Sequence, residues 1–181
     1  EEGIRYRGYK LYEVFEKLPK PKKSEMPYVE GLLHLLLTGE IPTLKETEDL
    51  VDEFSKRRIL PRYVYEVIDA YPCCSHPMAI FSSAILSMHR ESFFKKKYEA
   101  GINKQDLWEP MYEDSLNLLA KLPEIATYIY AKLYRDGKRI QSNPNLDMGG
   151  NFAFMMGKEK PYDDVSRMHF IIHSDHESGN V

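Results

Sequence analysis

The chain has 181 residues, with 25 Lys+Arg against 28 Asp+Glu and a formal charge of −3. That length suits one domain or slightly more and is ample for a core, and 43% hydrophobic with 29% charged residues excludes wholesale disorder. The near-neutral balance excludes nucleic-acid binding by bulk electrostatics, and the longest apolar stretch, residues 31–37, is interrupted by His34 and too short to span a bilayer.

In chain order, Ile4 to Arg7 ahead of Gly8 reads as one arm of a small hairpin. Thr43 and Glu46 have the spacing of a capping box, and Leu44, Leu50, Val51 and Phe54 form an apolar stripe up to the basic cluster Lys56-Arg57-Arg58. Pro61 suits the first turn of a second helix through Val64, Val67 and Ile68, which Tyr71-Pro72 breaks. Cys73 and Cys74 are the two cysteines; adjacent residues make a strained disulfide, so both are expected to be reduced, as in an intracellular protein. Ser75-His76-Pro77 opens a helix with Met78, Phe81, Ile85 and Met88 on one side and small residues between them. Residues 93–100 are a short basic helix closed by Gly101. A long helix is expected over residues 106–134, with Met111, Ser115, Leu118, Leu119 and Leu122 along one side, an interruption or kink at Pro123, and Ile125, Ile129 and Leu133 beyond it. Residues 139–150 read as an exposed polar loop, followed by short helices over 151–156 and from Asp163 to about Ser174. The fold class is all-α, with at most a small N-terminal hairpin.

Titratable chemistry concentrates at the C-terminal end. His169, His173 and His176 stand at i, i+4 and i+7, one helical face if the helix extends that far. Three readings are open on the residues alone: a transition-metal site, although the spacing is not a tight zinc signature; a helix end that presents His176 and Asn180 to a small polar ligand; or imidazoles hydrogen-bonded to backbone on a buried face.

The run Ser174-Asp-His-Glu-Ser-Gly-Asn-Val181 resembles the Ser-Asp-His-Glu-Gly-Gly-Asn-Val segment of eukaryotic, mitochondrial-type citrate synthases. The likeness extends along the whole chain. Gly3-Ile-Arg-Tyr-Arg-Gly-Tyr9 resembles the family's Gly-Ile-Arg-Phe-Arg-Gly-Tyr; Glu30-Gly-Leu, Leu36-Leu-Thr-Gly-Glu-Ile-Pro-Thr43, His76-Pro-Met78, Tyr112-Glu-Asp114 and Ala120-Lys-Leu-Pro123 follow in the family's order. Two departures are Ser178, where the family has glycine, and Met148-Gly149-Gly150, where it often reads Trp-Ser-His.

The resemblance implies that residues 1–181 are part of the large helical domain of a citrate synthase, a partial chain without the small domain. Such an enzyme of the tricarboxylic acid cycle condenses acetyl-CoA with oxaloacetate to citrate and CoA, as an acyltransferase of the mitochondrial matrix. It uses no metal and no redox cofactor, acetyl-CoA being a co-substrate. The family's catalytic His, His and Asp are expected beyond Val181, so no catalytic residue is assigned here and the fragment alone is expected to be inactive. Within the chain, the motif implies that His176 contacts oxaloacetate and that Asn180 helps to hold the pocket, while His173 is structural. Lys104 falls where relatives carry an Arg that reaches a CoA phosphate; an exposed loop lysine is the equal alternative. The family is a homodimer, which implies an interface through the helices from His76 to Met88 and from Leu107 to Tyr134, with no nucleic-acid or membrane partner. Alternatives are a 2-methylcitrate synthase-like relative using another acyl-CoA, and a structural role for a dimer of this fold.

Overall fold

The computed structural model describes residues 3–174. They fall into two compact units, one made by the chain up to Ser55 and from Ser142 onward, the other by Lys56–Gln141.

The first unit opens with an antiparallel hairpin, β1 (Arg5–Tyr6) and β2 (Tyr9–Lys10), with Arg5 opposite Lys10 and Tyr6 opposite Tyr9. Its two-residue turn places Arg7 at φ 50° and Gly8 at φ 90°, the positive angles that match the twist of paired strands. Arg7 tolerates that angle while its Nε donates to the Leu36 carbonyl at 2.7 Å. Helix α1 (Leu11–Lys17) follows directly, its Glu13 carboxylate accepting from the Lys10 amide at 2.7 Å. Helix α2 (Val29–Thr38) ends at Gly39, whose φ of 82° supplies the left-handed turn. Tyr6, Val14, Leu18, Leu32, Leu35 and Ile171 form the core of this unit.

The box at the start of α3 (Leu44–Arg57) is as its spacing predicts: Thr43 N–H donates to Glu46 Oε2 at 2.8 Å, and Glu46 N–H to Thr43 Oγ1 at 3.3 Å. The buried stripe of α3 differs from the expected one. Leu44 is exposed, while Thr47 is buried, because its hydroxyl folds back onto the Thr43 carbonyl at 3.0 Å and leaves only its methyl to pack.

In the second unit, α4 (Arg62–Asp69), α5 (Pro77–Ser87) and α7 (Trp108–Tyr134) bury Leu60, Val64, Ile68, Ile80, Ala84, Ile125 and Ile129 together. His76 caps α5, its Nδ1 accepting from Met78 N–H at 3.2 Å. The fully buried side of α5 is Ile80 and Ala84, whereas Met78 and Leu86 point outward. Helix α6 (Phe93–Glu99) is capped by Ser92, whose hydroxyl accepts from Lys95 N–H at 3.0 Å. Helix α7 continues through Pro123 without a break. It buries Leu116 and Ala120 rather than Met111 and Ser115, both of which are exposed.

The segment expected as an exposed loop over 139–150 is irregular as far as Asp147, with Arg139, Gln141, Pro144 and Asn145 exposed, and departs from that expectation at Asp147, Gly149 and Gly150, which are buried. Arg139 pairs with the buried Glu124 and lies over the Tyr65 ring at 4.6 Å. Further on, Asp147 caps α8 (Met148–Met155), and Gly149 and Gly150 are buried inside that helix. Helix α9 (Tyr162–Ile172) packs against α8 and completes the first unit.

Candidate functional site

The chemistry-bearing motif begins where α9 ends. Tyr6, fully buried, donates its hydroxyl to the carbonyls of Ile171 at 2.8 Å and Ile172 at 3.2 Å, two of the acceptors that a helix C-terminus leaves without intrahelical partners. The N-terminal hairpin thus ties down the last turn of α9. His173 follows as the helix cap, and the His169 and His173 rings lie 4.3 Å apart between centroids. Both are exposed, so these two imidazoles do not form a buried face. His176, Ser178 and Asn180 lie outside the described residues. Among the described residues no group of three His, Cys, Asp or Glu could hold a metal ion, and no helix is long and apolar enough to cross a membrane. Cys73 and Cys74 are free and exposed.

Along the buried side of α9, from Asp163 and Asp164 in its first turn to Arg167 midway, lies an ionic cluster. Arg167, 3% exposed, forms a fork on Asp147, with Nε at 2.9 Å from Oδ2 and Nη2 at 2.7 Å from Oδ1. Its Nη1 donates to Asp164 Oδ1 at 3.0 Å, Ser24 Oγ at 3.1 Å and Asp163 Oδ2 at 3.2 Å. Burial alone lowers the affinity of the guanidinium for its proton, but Asp147 and Asp163 outweigh it and the net shift is upward. Asp164 shows the same balance with the sign reversed: burial pushes its carboxyl up, while bonds from the Ser24 hydroxyl, the Glu25 and Met26 amides and Arg167 bring it below its usual value.

Glu30 of α2 completes the cluster. Its Oε1 accepts from Met148 N–H at 2.8 Å, the first amide of α8, where the helix dipole favours an acceptor. Its Oε2 is buried with no hydrogen-bond partner. Burial and the neighbouring Asp147 carboxylate push the Glu30 carboxyl up to about 7, with the Met148 amide and Arg167 pulling the other way. Sequence reasoning singled out Glu30 only as part of a motif and Arg167 not at all. A cue was present: a lone Arg beside apolar neighbours in α9, preceded by Asp163-Asp164, is the composition of a buried cation with its counterions.

Lys104 is in the second unit, exposed in a 3₁₀ turn (Lys104–Asp106) before α7. A cavity of about 620 Å³ in that unit is lined by the end of α5, α6 and α7, with Lys96, Lys121 and Asp114 in its wall. Lys104 does not line it.

Comparison with known proteins covers the whole chain. The family model described as citrate synthase, C-terminal domain, matches residues 1–181. A mitochondrial citrate synthase of Daucus carota is 44% identical over 182 residues, covering 100% of this chain and 39% of its own length. One from Xiphias gladius is 45% identical over 183 residues with the same coverage, and a peroxisomal citrate synthase of Saccharomyces cerevisiae is 44% identical over 182 residues, 40% of its length. The chain therefore spans about two fifths of these relatives. The crystal structure of a citrate synthase from Pyrobaculum aerophilum superposes with a TM-score of 0.76 at 28% identity, over 95% of this chain and 41% of that one. With a family model over its full length and relatives above 40% identity throughout, this chain belongs to the citrate synthase family.

Proposed function

We propose that the chain is part of the large helical domain of a citrate synthase that condenses acetyl-CoA with oxaloacetate, giving citrate and CoA. What supports this reading above all is the end-to-end family match together with a C-terminal motif that retains His176 and Asn180. A dicarboxylate needs donors of fixed direction, and imidazole and carboxamide N–H groups provide them at less desolvation cost than another buried cation. The proposed roles are His176 on oxaloacetate, Asn180 in the pocket wall and Lys104 on a CoA phosphate. The reacting groups, two histidines and an aspartate in the family, belong to other parts of the polypeptide. No metal or redox group enters this chemistry. The names of the relatives support a mitochondrial location.

A homodimer is part of the proposal. Support comes from α5, whose outward side carries Met78, Ala79, Ser82 and Leu86, and from the exposed Trp108 and Met111 at the start of α7. Leu86 is 73% exposed in the single chain, and a run of small and apolar residues suits close helix packing. Ser83 is a poor probe of that face, because its hydroxyl is bonded to Tyr71 at 2.5 Å.

A CoA-release assay on the complete polypeptide tests the function. Activity with acetyl-CoA and oxaloacetate supports the reading. Preference for propionyl-CoA would move it to a 2-methylcitrate synthase-like enzyme, a shift that the Met148-Gly149-Gly150 departure makes worth measuring. Inactivity with both would leave a structural role.

A further inference from the structure

The turn ahead of α5 carries the two cysteines of the chain side by side, and the condensation chemistry has no use for them. The Pro72 carbonyl accepts from Ser75 N–H at 3.0 Å, which closes a four-residue turn with Cys73 and Cys74 at its centre. Neither residue has a positive φ, so the hydrogen-bonded turn is of type I. Both thiols are free and exposed. The turn is held at each end: the Tyr71 hydroxyl is bonded to Ser83 Oγ at 2.5 Å, and His76 Nδ1 accepts from Met78 N–H at 3.2 Å. Its two central side chains are thus presented to solvent from a fixed backbone.

The backbone of a type I turn is close to helical, where consecutive side chains leave the axis about 100° apart. A disulfide would have to draw the two sulfurs to about 2.05 Å, at the expense of the turn. A bridging metal ion asks for less. Two bonds of about 2.3 Å, the zinc–thiolate length, let the sulfurs stand as much as about 4.6 Å apart. Thiolates select soft ions, of which monovalent copper and zinc are the common ones. Zinc takes three or four protein ligands. Among the described residues no group of three His, Cys, Asp or Glu could hold a metal ion, and His76, the imidazole next in sequence, commits its Nδ1 to the helix cap. A pair of thiolates with no third ligand suits the linear, two-coordinate geometry of monovalent copper.

We infer that Cys73 and Cys74 form a two-thiolate chelate for a monovalent copper ion on the surface of the second unit. Each sulfur binds as thiolate, so one ion displaces two thiol protons and the bound group carries a net charge of −1, with neither the copper nor the sulfurs oxidised.

The test uses the complete polypeptide, reduced and kept anaerobic, in four forms: wild type, Cys73→Ser, Cys74→Ser and the double serine variant. Monovalent copper is titrated in competition with a chromophoric chelator, and the double variant supplies the background from any other thiols. Wild type is expected to hold one ion per chain above that background. Each single variant is expected to lose on the order of 100-fold or more in affinity, because the second thiolate binds at the high effective concentration that its neighbour sets. Alanine at either position repeats the comparison without a hydroxyl. Two ions per chain, single variants within about threefold of wild type, a loss confined to one of the two positions, or a wild type no tighter than the double variant overturns the chelate. Zinc, titrated against a chromophoric indicator, is expected to bind wild type and the double variant within about threefold of each other. A 100-fold dependence of zinc affinity on both thiols would overturn the assignment to a two-coordinate ion.

Discussion

Replacing Glu30 by Gln isolates the energetic cost of the buried acid cluster. Glu30 has its carboxyl pushed up to about 7 by burial and by Asp147, against an ordinary value of 4.5. The native state therefore holds a proton that the unfolded chain releases, so stability is fully present below about pH 4.5 and is lost as pH rises through about 7. At 1.36 kcal/mol per pH unit, that loss amounts to about 2 to 3 kcal/mol between pH 5 and pH 8. Gln keeps an acceptor for the Met148 amide and cannot ionise. Urea unfolding of wild type and Glu30→Gln at both pH values gives the difference directly, with any steric effect of the amide cancelling between them. The variant is expected to gain about 2 to 3 kcal/mol on wild type in going from pH 5 to pH 8. An equal difference at both values would refute the reasoning, since Glu30 would then titrate alike folded and unfolded.

Other substitutions probe separate joints. Tyr6→Phe keeps the buried ring and removes the hydroxyl that holds the Ile171 and Ile172 carbonyls; a loss of about 1 to 2 kcal/mol in urea unfolding is expected. Leu86→Lys places a charge on the outward side of α5 and is expected to convert dimer to monomer in sedimentation velocity, with helical content unchanged. Lys104→Ala is expected to raise KM for acetyl-CoA a few-fold and to leave that for oxaloacetate unchanged in steady-state kinetics.

Features with a local cause were legible in the sequence. The Thr43–Glu46 box, the His76-Pro77 start of α5, the close of α6 before Gly101 and the Arg5–Lys10 hairpin each depend on residues a few positions apart. What escaped depends on partners far along the chain. That Leu116 rather than Met111 is buried on α7 is decided by tertiary packing, and periodicity alone allows either. Asp147, Gly149 and Gly150 read as loop because polar residues and glycines usually signal exposure. Here the carboxylate serves a guanidinium 20 positions away, and the glycines make room for it. Glu30 escaped for the same reason, its partner amide being 118 positions distant. His176 and Asn180 lie outside the described residues, and their proposed contact with a dicarboxylate rests on the family motif alone.

The central claim is that His176 holds oxaloacetate, and calorimetric titration of that ligand into the complete polypeptide tests it most directly. His176→Ala is expected to weaken oxaloacetate binding by on the order of 10-fold or more, with CoA affinity unchanged. Equal oxaloacetate affinity in the two proteins would contradict the account.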